Sequence, residues 1–202
     1  MKPSGQDSAL EQAIQLLTAD HDKVRLLFRE YKKLMDLDAD GSQRGPVAAK
    51  ICHELTGHAE IEEEIFYPAA RKAMAEDAEE CMDHADVEHQ SIKRLIADIQ
   101  GGNPDDEHFD ARVHVLQEYV AHHVCEEENE MFEELRQAEP KMDAVLARMQ
   151  AAKLKLEGIA APSFGTRTAS NNAKPGTRRS TAAARKQVRL GGTRKSKDKA
   201  ES

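Results

Sequence analysis

The stretch ALEQAIQLLTADHDKVRLLFREYKKL, Ala9 to Leu34, carries Leu10, Ile14, Leu17, Val24, Leu27 and Leu34 at spacings of three, four and seven. Those spacings draw one apolar stripe along an α-helix and exclude the alternation of a strand. His21 follows Leu17 by four and precedes Phe28 by seven, so its imidazole shares the stripe and points inward. Taken alone, an inward histidine is more often a hydrogen-bonded core residue than a ligand. The rest of the chain decides between the two.

Working outward, turn signals at DGSQRGP (40–46), near Glu76 and Asp77, at GGNPDD (101–106) and at Glu139–Pro140 cut the chain into four helix-length pieces. Pro46, Pro104 and Pro140 are expected in first helical turns, where a missing N–H is tolerated, and Gly101 is expected to stop the third piece. Further stripes run through Ile51, Leu55 and Ile65 and through Ile92, Leu95 and Ile99. Helices of roughly 25 to 30 residues joined by short loops pack as antiparallel neighbours. The expected fold is all-α, an up-down-up-down four-helix bundle, with a short fifth helix over about residues 140–156. Only 4% of the 202 residues are aromatic and 33% are charged, which fits long solvated helices better than a sandwich or barrel.

Residues 1–157 carry 18 Lys and Arg against 35 Asp and Glu, whereas 158–202 carry 11 against 2. The second segment is rich in Gly, Pro, Ser, Thr and Ala and cannot offset its ordering entropy, so it reads as a disordered basic tail after a bundle domain at 1–157. No run of roughly 18 to 20 apolar residues is present and the first residues lack an apolar signal core, so the reading is a soluble, cytoplasmic protein with no membrane partner. Cys52, Cys81 and Cys125 lack paired spacing and read as free thiols.

The second and fourth pieces repeat a pattern. HAEIEEEIFYP, His58 to Pro68, returns as HVCEEENEMFEEL, His123 to Leu135: a histidine, a glutamate four residues on, and an acidic run closed by a phenylalanine. Residues four apart lie about 40° apart around a helix, so His58 stacks with Glu62 and His123 with Glu127 on one face. A bundle core receiving such a pair from each of two helices, and histidines from the other two, can cage metal ions; imidazole with carboxylate suits iron, manganese or zinc. His122 with Glu126 has the same spacing and stays open as an alternative. Most glutamates of 60–64 and 126–130 read as a solvated acidic face, and His53, His108 and His114 as ordinary structural histidines that are not ligands.

ADHDKVRLLF (19–28), HAEIEEEIFYP (58–68), EHQSIKRLI (88–96) and HHVCEEENEMF (122–132) together resemble the hemerythrin-like, HHE cation-binding family over roughly residues 8–138. The resemblance implies a non-haem centre of two iron ions, oxo- or hydroxo-bridged, held by His21, His58, Glu62, His89, His123 and Glu127, with both carboxylates bridging. Hemerythrins proper place two histidines four apart on the third helix, whereas His84 and His89 are five apart, about 140° around a regular helix. His84 is therefore a further candidate ligand. If it coordinates, a single position stays open, favouring reversible oxygen binding; without it two stay open, favouring further reaction.

Two functions follow. One is a di-iron protein that binds or reacts with dioxygen or a related diatomic or peroxide ligand, in oxygen, redox or iron sensing or in peroxide or nitric oxide handling. The other is association with nucleic acid through the tail, whose Lys and Arg would attract phosphates with strong salt dependence and little sequence selectivity. Phe164 is the only aromatic there, so base stacking is not its main mode. The absence of a GxSxG turn and of a P-loop argues against a nucleophilic hydrolase and most phosphate-transfer enzymes.

Overall fold

The computed structural model describes residues 8–74 and 79–158. Helix α1 (Ala9–Asp36) starts where the Ser8 hydroxyl accepts the Glu11 N–H at 3.2 Å, and at about 1.5 Å per residue its 28 residues span about 42 Å. After a turn at 37–40 the chain returns as α2 (Gly41–Ile61), passes through a π-helical turn at Glu62–Phe66, and continues as α3 (Tyr67–Ala73). Helix α4 (Glu79–Gly101) and, after the 102–108 loop, α5 (Phe109–Glu126) follow. A second π-turn at Glu127–Met131 leads into α6 (Phe132–Ala138), and α7 (Asp143–Glu157) ends the described chain. The result is the all-α four-rod bundle with a short fifth helix, and no described helix is long and apolar enough to cross a membrane.

The prolines do not stand where the sequence reading put them. Helix α2 begins at Gly41, so Pro46 lies inside it, and GSQRG is helix instead of loop. Tertiary contacts hold that first turn: Asp40 caps Gln43, Asp105 accepts the Gly41 N–H at 3.1 Å, and Arg44 reaches both Asp110 and the Pro104 carbonyl. A Cβ at Gly41 would meet Asp105 Oδ1 at 2.3 Å, so the close approach requires glycine. Pro104 sits in the 102–108 loop, and Pro140 lies in the 139–142 connection, before α7 starts at Asp143. The expected stops at Gly101 and at Glu139–Pro140 do hold, and Glu139 takes a left-handed conformation (φ 46°) that ends α6. The expected break near Glu76 and the basic tail beyond Gly158 lie outside the described residues.

Two apolar clusters fill the bundle. One gathers Leu10, Ile14, Leu17, Ile61, Phe66, Phe132 and Leu135, closed over by Leu146 and Met149 of α7. The other gathers Val24, Phe28, Ile51, Leu55, Ile92, Ile99, Leu116 and Val120. Helix α7, whose place the sequence left unread, packs on α1, α2 and the first π-turn. It comes close at Gly57, where an added Cβ would stand 2.8 Å from Leu156 Cδ1. That docking brings Lys153 onto Asp20, at the layer between the clusters where the polar residues lie.

Candidate metal centre

The buried polar or charged side chains among the described residues are Asp20, His21, His58, Glu62, His89, His123 and Glu127. Burying so many ionisable groups in an apolar bundle costs several kcal/mol per charge unless they are paired or hold an ion. They are arranged in two halves. His21 Nε2 lies 3.1 Å from His58 Nε2, and His89 Nε2 lies 3.0 Å from His123 Nε2. Glu62 stands between the halves, with Oε1 3.0 Å from His58 and Oε2 3.3 Å from His89. Glu127 does the same with one oxygen, Oε2, 3.3 Å from His21 Nε2 and 3.6 Å from His123 Nε2. Both Glu62 oxygens and Glu127 Oε2 are buried and have no aligned hydrogen-bond donor. Four ring nitrogens and three orphaned carboxylate oxygens converging on one space match the donor set of a metal pair, and the residues fit such a group.

A carboxylate stands behind each imidazole. His21 Nδ1 lies 2.9 Å from Glu128, His89 Nδ1 2.8 Å from Glu63 and His123 Nδ1 2.9 Å from Glu88, while His58 Nδ1 is 3.7 Å from Asp20, beyond hydrogen-bond range. Proton donation from Nδ1 leaves the Nε2 lone pair facing inward, the tautomer a metal ligand needs. Arg25 pairs with Glu128, Lys93 with Glu63 and Lys153 with Asp20, which fixes those carboxylates in turn. Glu63 and Glu128 thus leave the solvated face to which the sequence assigned most of the acidic runs. Their signal was adjacency, each directly following an inward glutamate.

The imidazoles and carboxylates of the cluster shift one another's protonation. Burial opposes the charge on His58, but Glu62, Asp20 and Glu127 outweigh it and push the imidazole up to about 10. His123 rises for similar reasons: burial opposes its charge, and Glu127 and Glu88 overcome that. Burial alone would raise Glu62, yet His58 and His89 hold its carboxyl well below the usual range. Burial and the charges of Glu127 and Glu62 push the Tyr67 phenol well above its ordinary value, so it stays a donor. Tyr67 Oη donates to Glu127 Oε1 at 2.7 Å and approaches His89 Nε2 at 3.4 Å.

The two π-turns explain why Tyr67 arrives there. The Tyr67 N–H bonds the Glu62 carbonyl and the Phe132 N–H bonds the Glu127 carbonyl, five residues back in each case. Each π-turn therefore sets an aromatic one turn above its glutamate: Tyr67 against the His89 ring at 5.5 Å, Phe132 parallel to the His21 ring at 6.4 Å. Counted from the histidine, both aromatics fall at the ninth residue, so Tyr67, not Phe66, is the counterpart of Phe132.

His84 stands exposed on α4, apart from the cluster, as the 140° phase to His89 requires. His122 is exposed while His123 is buried, so the inward pair on this helix is His123 with Glu127. Cys125 is exposed and Cys52 buried in the apolar cluster away from the histidines.

Fold and site together define a helical-bundle cation-binding protein. The chain belongs to the hemerythrin HHE cation-binding domain family, whose model matches residues 12–156. It is also similar to a protein of Nostoc sp. (strain PCC 7120) named DNA nickase, 32% identical over 155 residues that cover 75% of this chain and 41% of that one. The chain thus spans less than half the length of that relative. No solved structure matches it.

Proposed function

We propose that the chain is a non-haem di-iron protein whose centre binds or reacts with dioxygen or a related small ligand. The observation that carries this reading is the position of Glu62 and Glu127, each within reach of one histidine from either half. In this reading His21 with His58 holds one ion, His89 with His123 the other, and the two carboxylates are shared. Bound iron would supply redox chemistry and open coordination positions. The chain's own residues supply the rest. Glu128, Glu63 and Glu88 hold the Nδ1 protons of His21, His89 and His123 and aim their Nε2 atoms. Tyr67 keeps a proton at its Oη and directs it at Glu127 Oε1. Beside the histidines lies a cavity of about 20 Å³ walled by Val24, Leu55, Ile92, Val120 and Val124. That is room for about one molecule the size of water, and its apolar wall favours an uncharged diatomic over an ion. Ile61, Ile65, Phe66 and Phe132 belong to the other apolar cluster and do not line this cavity.

Elemental analysis and an optical spectrum of protein purified in air test the class, the expected result being about two irons per chain with near-ultraviolet charge-transfer bands. A chain that holds no metal and cannot be reconstituted refutes it. With His84 outside, four histidines serve the pair, which favours a centre that reacts onward over a carrier. Mixing the reduced protein with oxygen should then give rapid oxidation, whereas an oxygenated spectrum that reverts under vacuum refutes that preference.

A second reading, association with nucleic acid through residues 158–202, is supported by the basic composition of that segment and by the name of the Nostoc relative. Truncation after Glu157 should abolish any DNA affinity and leave metal binding intact; equal DNA binding by the truncated chain refutes this reading.

A further inference from the structure

We propose that Glu88, His122 and Glu126 form a second cation site, at the surface, that takes a divalent transition-metal ion. The observation behind it is an asymmetry in the four carboxylates that back the inner histidines. Glu128, Asp20 and Glu63 are each neutralised by a fixed cation, Arg25, Lys153 and Lys93 in turn. Among the described residues no lysine or arginine forms an ion pair with Glu88. Its Oε2 accepts from His123 Nδ1 at 2.9 Å, and opposite its Oε1 stands His122 Nε2 at 3.4 Å. The same Nε2 lies 3.0 Å from Glu126 Oε1, and one ligand atom from each of the three residues falls within 4.8 Å of the others.

That geometry suits an ion. Nitrogen and oxygen ligands sit about 2.0–2.2 Å from a divalent transition metal, so adjacent ligands stand about 3 Å apart. The two distances to His122 Nε2 are of that size, and the ligands come from two packed helices, α4 and α5. The i, i+4 relation of His122 and Glu126 puts both on one face of α5. The His122 side chain is 64% exposed, which leaves the remaining coordination positions to water. An imidazole with two carboxylates selects zinc, manganese, iron or cobalt over calcium or magnesium, which take oxygen alone. Two carboxylates also give the site the charge to hold such an ion where the other three positions hold a lysine or arginine.

The site needs no ion in the buried centre. Its consequence does rest on the di-iron reading: because Glu88 is shared with His123, occupancy at the surface reaches a ligand of the buried pair through one carboxylate.

The test is zinc binding by the full, untagged chain, measured by equilibrium dialysis with elemental analysis and by titration calorimetry, beside His122→Ala, Glu126→Gln and His58→Ala. His122→Ala and Glu126→Gln should each hold one zinc fewer than the parent chain at matched free zinc, with the weaker class of sites lost or at least tenfold weaker. Both positions are exposed or half-exposed, so the circular dichroism of these variants should match the parent. His58→Ala should lose zinc from the buried centre and keep the weaker class. Equal zinc counts and isotherms in the parent, His122→Ala and Glu126→Gln overturn the proposal and leave His122 as an imidazole paired with two glutamates. If His58→Ala instead loses nothing while the two surface variants each lose an ion, the surface site stands and the buried-centre reading fails.

Discussion

Glu62→Gln separates a carboxylate shared by two ions from an ordinary buried acid. Glu62 is fully buried and offers one oxygen to His58 and the other to His89. Glutamine keeps the volume but replaces one acceptor with an NH2 donor and removes the charge, so one half loses its ligand oxygen and the other keeps only a neutral amide oxygen. In the parent, metal at about a thousandfold excess over Kd stabilises the fold by about 4 kcal/mol per site. For a domain of about 150 residues each kcal/mol moves Tm by about 2–4 °C, so even one filled site should raise Tm by about 8–16 °C over the metal-free chain. Glu62→Gln should lose at least one ion and with it about 8–16 °C of the metal-dependent rise for each site lost. His84→Ala should change neither quantity. The assay is scanning calorimetry of loaded and metal-free protein, with metal counted on the same samples. Because the rise is a difference within each variant, any folding defect of the metal-free form cancels. A Glu62→Gln chain with the parent's metal content and rise would refute the shared-carboxylate argument.

Metal binding should release protons, since an ion needs neutral imidazole while His58 in the metal-free chain titrates near 10; calorimetry in buffers of different ionisation enthalpy should give about one proton or more at pH 7, with affinity rising toward pH 10. The raised His58 stabilises the metal-free fold fully below about pH 6.5, the ordinary imidazole value, and that stability goes as pH climbs through its folded value; the depressed Glu62 and Asp20 act above about pH 4 and lose their effect as pH falls. A metal-free Tm that falls on both sides of that window agrees, and a flat profile disagrees. Tyr67→Phe removes a buried hydrogen bond to a carboxylate, so urea unfolding should show a loss of about 1.5–3 kcal/mol with metal content kept. Burial pushes the Cys52 thiol up to about 12 while Cys125 is exposed, so in a Cys81→Ser chain iodoacetamide at pH 8 should label Cys125 alone until the protein is unfolded, without displacing metal. Gly57→Val should overpack against Leu156, cost about 1–3 kcal/mol and speed amide exchange in α7.

The sequence made the helices and the inward histidines legible because both rest on the same 3.6-residue period. Leu17, His21, Val24 and Phe28 lie on one buried stripe, and the doubled His–Glu spacing singled out Glu62 and Glu127 from Glu60, Glu63, Glu64, Glu126, Glu128 and Glu130. The same period hid the rest. A π-turn closes on the fifth residue instead of the fourth, so a stripe counted at 100° per residue goes out of register after Glu62 and Glu127, and Tyr67 passed unnoticed. Asp20, Glu63, Glu88 and Glu128 each stand next to a buried ligand candidate in sequence, but their roles depend on which helix faces them, and that is tertiary information. The error at Pro46 is of the same kind: Asp105 and Asp110, far along the chain, hold a helical turn that local propensity would refuse.

Divided by sequence repeat instead of by histidine pair, the centre is again two nearly equivalent halves. His58, Glu62 and Tyr67 face His89; His123, Glu127 and Phe132 face His21. Each half has one histidine on a rod with a π-turn and one on a rod without, and each has an aromatic against the second ring. Among the side chains that face the shared space the halves differ by one oxygen atom, the Tyr67 hydroxyl, which crosses to the opposite half and donates to Glu127 Oε1. Glu62 therefore keeps two oxygens with no aligned donor where Glu127 keeps one. A carboxylate that already accepts a hydrogen bond is the poorer base and the weaker ligand at that oxygen, so two carboxylates placed alike are made unequal. Burial holds the Tyr67 proton in place across the physiological range, which makes the inequality between the two carboxylates permanent.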